Sequence, residues 1–236
     1  MRNIIIATII LSVAFCSCKK IEGNGDVITE TYTINDYFQE VTNETAFDVE
    51  VVFSNENKVE ITGESNIIEK LSVNVKHKKL IIDKVRNKYR LRSTQPVNIK
   101  IYMKRNDYMY FSNYGSGDLT VYSPLARKIK LDNTGSGDLY VFDCEHEAVE
   151  VLNSGSGDIV VTGVAGEVYI KNSGSGDVDC YHLTSQYVEI HSSGTGRTEA
   201  YATDEADVWE SGSGEVYVYG TERVRYHYEY NDDDDK

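Results

Sequence analysis

Proline is nearly absent from this 236-residue chain, with only 2 in all. A sequence so poor in the residue that cannot donate to a strand ladder can sustain uninterrupted strands. Positive charge is also scarce. Lys and Arg number 24 against 38 Asp and Glu, a formal net charge of −14. That balance argues against nucleic acid and anionic lipid surfaces as partners, and it keeps a strand-rich chain soluble. Past the first 17 residues no apolar run is long enough to cross a bilayer. Catalytic signatures are missing as well. No Gly-x-Ser-x-Gly elbow surrounds the serines. Gly115-Ser116-Gly117 lacks the glycine that a dinucleotide fingerprint would need at Thr120. His77, His146, His182, His191 and His227 show no metal-ligand spacing, and Cys144-Glu145-His146 is a lone near-pair.

What the chain does have is a repeat. Gly-Ser-Gly-Asp starts at Gly115, Gly135, Gly155 and Gly174, and edited copies start at Gly194 and Gly212. The spacings are 20, 20, 19, 20 and 18 residues, the period of a solenoid. One and three residues after the Asp stand apolar pairs such as Leu139 and Val141, or Ile159 and Val161. Seven and nine residues before it stand Leu131 and Ile129, or Val151 and Val149. Their neighbours are largely polar, so both stretches alternate with period two and read as strands with one buried face. Each coil is then strand, Gly-Ser-Gly-Asp corner, strand, and a variable corner of four to six residues. The glycines suit a tight corner through their access to positive φ. Successive coils pair in parallel about 4.8 Å apart, and six of them make a rod of roughly 30 Å. Parallel crossovers are overwhelmingly right-handed. The expected fold is therefore all-β, a right-handed single-stranded parallel β-helix. Its 18 Tyr against 6 Phe suit half-wet strand faces.

Residues 1–17 read as a leader, with Arg2 and the apolar run Ile4–Ala14 before Ser17-Cys18. A small residue before cysteine resembles a bacterial lipoprotein signal. Cys18 would become the acylated N-terminus, and loss of Arg2 would bring the charge to −15. An ordinary cleaved secretory signal is the alternative. Residues 18–107 form a less regular β region that continues into the solenoid. There Gly23-Asn24-Gly25-Asp26 looks like a stray corner, Asn66 caps a helical turn, and Arg86–Thr94 is a loop. Residues 108–230 are the regular repeats, with Val224–Tyr230 as closing strand. Residues 231–236 are an acidic tail that also reads as a protease-recognition tag.

Three columns are candidates for function. Asp118, Asp138, Asp158 and Asp177 stack one coil apart. They form either a calcium ladder or carboxylates that accept hydrogen bonds from their own turn amides, with Arg197 next in line to pair with Asp177. Asn113, Asn133, Asn153 and Asn172 form an amide ladder that satisfies the backbone between coils. Four residues after the Asp come Tyr122, Phe142, Thr162, Tyr181, Tyr201 and Tyr219, which alternation turns outward. With Tyr140 and Tyr217 they make an aromatic strip, either a surface for sugar rings or a protein partner, or cross-strand packing that stiffens the sheet. Cys144 and Cys180 lie two coils apart, nearly 10 Å, and should stay free thiols.

The leader, Phe47-Asp48-Val49-Glu50-Val51, the turn from Glu64 to Leu71 and the Gly-Ser-Gly-Asp series together resemble the head-GIN-domain family over about residues 25–220. The resemblance implies a right-handed β-helix and an adhesin-like module of the cell envelope, and it supplies no catalytic residues. The expectation is a non-enzymatic binding module, an outer-membrane lipoprotein of a Gram-negative bacterium, facing the periplasm or the surface. It needs no cofactor unless the Asp column takes Ca²⁺. Its partner would be a surface glycan or protein, with the membrane engaged through the lipid alone. A carbohydrate-active lyase or hydrolase and a purely structural spacer are the rival readings. An enzyme should show unique charged residues that break the columns on one face, and most acidic residues here obey them.

Overall fold

The computed structural model describes residues 19–86, 88–124 and 126–227. The leader with Cys18, the end of the closing strand and the acidic tail lie outside the described residues. The rest is an all-β solenoid of about 6 turns with coils about 20 residues apart.

The strand Tyr108–Asn113 pairs in parallel with Lys128–Asn133, which pairs with the second half of Leu139–Asn153. After the corner, Leu119–Tyr122 pairs in parallel with Leu139–Phe142. The registers continue as Leu131↔Val151↔Ile170↔Ile190↔Val208 and Leu139↔Ile159↔Val178↔Thr198↔Val216. The apolar columns point inward as alternation predicts, and Phe111, Leu131, Val151, Ile170 and Ile190 are fully buried. Each buried Val, Leu or Ile contributes on the order of 2 kcal/mol, so the rod is held by its columns.

The two corners differ from expectation. The variable corner is not a loop from the second coil onward. The ladder runs through it, so Leu139–Asn153, Ile159–Asn172, Val178–Ser192 and Thr198–Glu210 are continuous strands. Bulges absorb the unequal coil lengths, as between Val141 and Cys144. In the regular coils the positive-φ residues Ser123, Asp143, Gly163 and Gly220 also sit at this corner. The Gly-Ser-Gly glycines have no positive φ, so their reason is close approach. A Cβ on Gly135 would stand 2.1 Å from the carbonyl oxygen of Gly115 in the coil before.

This explains a corner that the motif search misses. Glu40–Asn43 pairs with Tyr110–Asn113, and Val49–Phe53 pairs through Val49–Val51 with Leu119–Val121. Between them Asn43-Glu44-Thr45-Ala46-Phe47-Asp48 takes the place of Asn-x-Gly-Ser-Gly-Asp. It is the first corner in its column, with no earlier corner to approach, so Thr45 and Phe47 fit where later coils need glycine.

Below this corner the stack turns antiparallel. Val27–Thr33 pairs with Lys58–Glu64, and Lys58–Glu64 pairs with Asn98–Met103, both antiparallel. Leu71–Lys76 and Lys79–Lys84 form an antiparallel hairpin that joins Glu40–Asn43. The stretch read as a loop contains the strand Tyr89–Arg92, paired in parallel with Lys19–Glu22. Asn66 lies inside the short helix Ser65–Ile68 and does not cap it. Its Oδ1 accepts the N–H of Asn24, and its amide donates to the carbonyl of Glu22. Gly23-Asn24-Gly25-Asp26 is no corner either. It wraps the buried Glu64, whose Oε1 accepts the Gly25 N–H at 2.6 Å.

Candidate functional site

Carboxylates link the coils in series. The N–H of Asp118 donates to Asp48 Oδ1 at 2.9 Å, that of Asp138 to Asp118 Oδ1 at 2.8 Å, and that of Asp158 to Asp138 Oδ1 at 2.8 Å. Asp177 and Arg197 extend the chain, each at 2.7 Å. Each Asp thus accepts from the next coil, not from its own turn, because stacking places the following Asp N–H over the carboxylate. Burial raises the Asp118 carboxyl above the usual range, the Asp138 N–H partly offsets this, and the charges of Asp138 and Asp48 on either side push it up again. At the end of the column Arg197 lies 3.7 Å from Asp177, the expected pairing. One oxygen of each carboxylate is committed to backbone, and among the described residues no three His, Cys, Asp or Glu side chains gather as metal ligands.

The asparagines are buried and bond to the backbone, not to one another. Asn153 Nδ2 donates to the carbonyls of Gly157 in its own corner and Gly176 in the next, both at 3.1 Å. Its Oδ1 accepts the Gly155 N–H at 3.2 Å. Asn113, Asn133 and Asn172 likewise donate within their own corner and to the next coil. Asn43 extends the column by one coil.

The aromatic strip is two clusters rather than one line. Tyr122 is in register with Phe142 at 5.8 Å between centroids, and Tyr140 stacks on Phe142 at 6.0 Å. Val160 and Thr162 then interrupt the column. Beyond them Tyr181 meets Tyr219 at 4.8 Å and Tyr201 at 6.2 Å, and Tyr217 lies 6.5 Å from Tyr219. A register shift after Cys180 sets Tyr201 opposite Thr184, so Tyr181 and Tyr201 are not in line. Carboxylates fix several rings: Tyr140 donates to Asp138 at 2.7 Å and Tyr217 to Glu215 at 2.9 Å. The Asp138 bond and burial raise the Tyr140 hydroxyl well above its usual range.

Cys144 and Cys180 are buried free thiols, and burial pushes Cys144 up to about 12. His146 is also buried, with Nδ1 2.9 Å from the carbonyl oxygen of Ala126. A different cluster went unread in the sequence. His191, Trp209 and His227 stack in register, with centroids 4.5 and 4.1 Å apart. The buried Asp207 beside them accepts two bonds from Arg225, at 2.8 and 2.7 Å, and one from Tyr187 at 2.8 Å. Only the solenoid register could have revealed it, since the three rings are 18 residues apart in sequence.

Similar solved structures share this architecture. A crystal structure described as a "putative adhesin" from Bacteroides fragilis NCTC 9343 superposes with a TM-score of 0.78 at 21% identity, over 88% of this chain and 94% of that one. A "putative lipid binding protein" from Parabacteroides distasonis ATCC 8503 gives 0.72 at 24% identity, over 89% and 96%. A "putative adhesin" from Parabacteroides merdae ATCC 43184 gives 0.63 at 18%, over 89% and 95%. No curated protein matches the sequence. The family described as "Putative auto-transporter adhesin, head GIN domain" matches residues 37–221, and the chain belongs to that family.

Proposed function

We propose that the chain is a non-enzymatic binding module of the cell envelope, anchored through a lipid on Cys18, which meets its partner on the tyrosine-rich face. One observation carries this reading. Tyr122, Tyr181, Tyr217 and Tyr219 remain 44, 40, 40 and 38% exposed on a sheet whose opposite face packs against the core. Exposed rings grouped on a rigid surface suit a sugar ring or a protein side chain better than open water. The Asp column borders the same rings, so neutral glycans and basic proteins fit better than anionic polymers. The reading needs no cofactor. The repeated columns favour binding over catalysis, since a reactive residue would stand alone in its column. The family's description supports adhesion. Placement as a Gram-negative outer-membrane lipoprotein rests on the leader sequence. The test is replacement of Tyr122, Tyr181 and Tyr201 by serine, with binding to intact bacterial cells and the far-ultraviolet circular dichroism of each protein compared.

A further inference from the structure

The net charge of the chain hides a division. Residues 19–106 carry 15 Lys and Arg against 13 Asp and Glu, a net of +2, whereas residues 107–227 carry 7 against 20, a net of −13. Cations gather where the described chain begins. Lys19–Glu22 pairs in parallel with Tyr89–Arg92, which sets Lys20 beside Arg90 and Glu22 beside Arg92. These four side chains are exposed on the outer face, while Ile21 and Leu91 are half-buried on the inner one. Arg86 and Lys88 lie just before the second strand, and the N–H of Lys19 donates to the carbonyl of Lys88 at 2.9 Å. Glu22 is the one carboxylate on the two strands, and it is ion-paired with Lys20. Among the described residues, Lys19, Arg86, Lys88, Arg90 and Arg92 form no ion pair.

This basic face is fixed to the body. Leu91 packs against the core. The Gly25 N–H past the first strand, and the Ser93 hydroxyl and Thr94 N–H past the second, all donate to the buried Glu64, at 2.6, 2.6 and 2.7 Å. Lys20 beside Arg90 is a like-charge pair, an arrangement that lowers the stability of a sheet. Folding gives no reason for that pair, whereas a negative surface outside the protein does.

We propose that this outer face docks on the phosphate headgroups of an anionic phospholipid bilayer. The choice of a membrane as partner rests on the acylation of Cys18 proposed above. Lys19 is joined to Cys18, so the lipid would hold the start of the strand one Cα step, about 3.8 Å, from its anchor. A strand of four residues spans only about 13 Å, so the whole patch stays close to the headgroups. Each Lys or Arg near an anionic leaflet adds to the attraction. The acidic coils are repelled by the same field, so the rod stands on its basic foot with the tyrosine clusters clear of the membrane. The argument from total charge against anionic lipid therefore fails at this end. Without acyl chains the contact is reversible, so the patch orients the rod and the lipid holds it.

The experiment uses the mature chain from residue 18 with Cys18→Ser, so that no acyl chain contributes. It is sedimented with vesicles of phosphatidylcholine alone, and with vesicles of phosphatidylcholine and phosphatidylglycerol in equal parts. Salt is held at about 0.1 M, where a Debye length of about 10 Å screens the acidic coils from the membrane. The protein should bind the mixed vesicles and not the neutral ones. Lys88→Gln and Arg90→Gln, both at exposed side chains, should each weaken binding about fivefold with the melting temperature unchanged. Lys171→Gln, at an exposed cation among the acidic coils, should leave binding as it is. Absence of binding to the mixed vesicles, equal binding to the neutral ones, or binding untouched by both replacements would overturn the proposal. So would full release by alginate at equal charge, which would make the ligand a soluble acidic polysaccharide. Failure here leaves the acylation of Cys18 standing, and absence of acyl label on the native chain leaves the vesicle result standing.

Discussion

A Cβ on Gly137 would stand 2.2 Å from the carbonyl oxygen of Gly117, one coil earlier. No real Cβ sits that close to backbone, so the coils approach to a distance that only glycine permits. Ser136, between the two corner glycines of its coil, is exposed and free of that constraint.

Gly137→Ala is therefore expected to destabilise the rod by about 1–3 kcal/mol, the usual range for overpacking against an unyielding neighbour. Ser136→Ala should be near neutral. Thermal unfolding of both variants checks this, and equal melting temperatures would contradict the close-approach account.

Val161 is fully buried and Val160 half-buried on the opposite face of the same strand. Val161→Asp places a charge in the middle of the stack and should cost more than about 4 kcal/mol or prevent folding. Val160→Asp should be mild. Comparable losses in the two would refute the in-out assignment of the columns.

Much of this architecture is legible in the sequence because a solenoid writes its register as a period. Leu131, Val151 and Ile170 announce their column by spacing alone, and so do the asparagines. What spacing hides is where the repeat is excused from its own rule. Thr45 and Phe47 conceal a corner because no earlier corner lies against them. The strands at the N-terminal end keep no common period, so Tyr89–Arg92, which pairs in parallel with Lys19–Glu22, reads as a loop. The aromatic residues are legible by spacing, but Val160 and Thr162 divide them into two clusters, and a register shift after Cys180 takes Tyr201 out of line with Tyr181. The direction of the Asp hydrogen bonds was misread, since sequence alone cannot show which coil's amide lies over a carboxylate.

Glu64 ties the N-terminal segment to the body. Bonds from the Ser93 hydroxyl first, then from Thr94 and the Gly25 N–H, hold its carboxyl down to about 2. The ordinary value is about 4.3. A carboxyl depressed in the folded state stabilises it above that ordinary value, and the contribution fades as pH falls towards about 2. Glu64→Gln should lower stability at neutral pH and flatten the loss of stability across that acid window. Parallel pH profiles for wild type and variant, measured by urea unfolding, would contradict this role.

Cys18 lies in the leader motif and is the proposed point of lipid attachment. Cys18→Ser should shift the protein from the membrane fraction to the soluble fraction and abolish incorporation of labelled palmitate. A variant that stays with the membrane without acyl label would show that something else anchors the chain.

The central claim, that the tyrosine face is the binding surface, is tested most directly by the triple replacement of Tyr122, Tyr181 and Tyr201 with serine. Binding to intact bacterial cells and the melting curve are measured on the same preparation. A binding surface predicts lost binding with the circular dichroism spectrum and melting temperature close to wild type. Rings that only stiffen the sheet predict a lowered melting temperature while the folded fraction still binds, and that result would contradict the account.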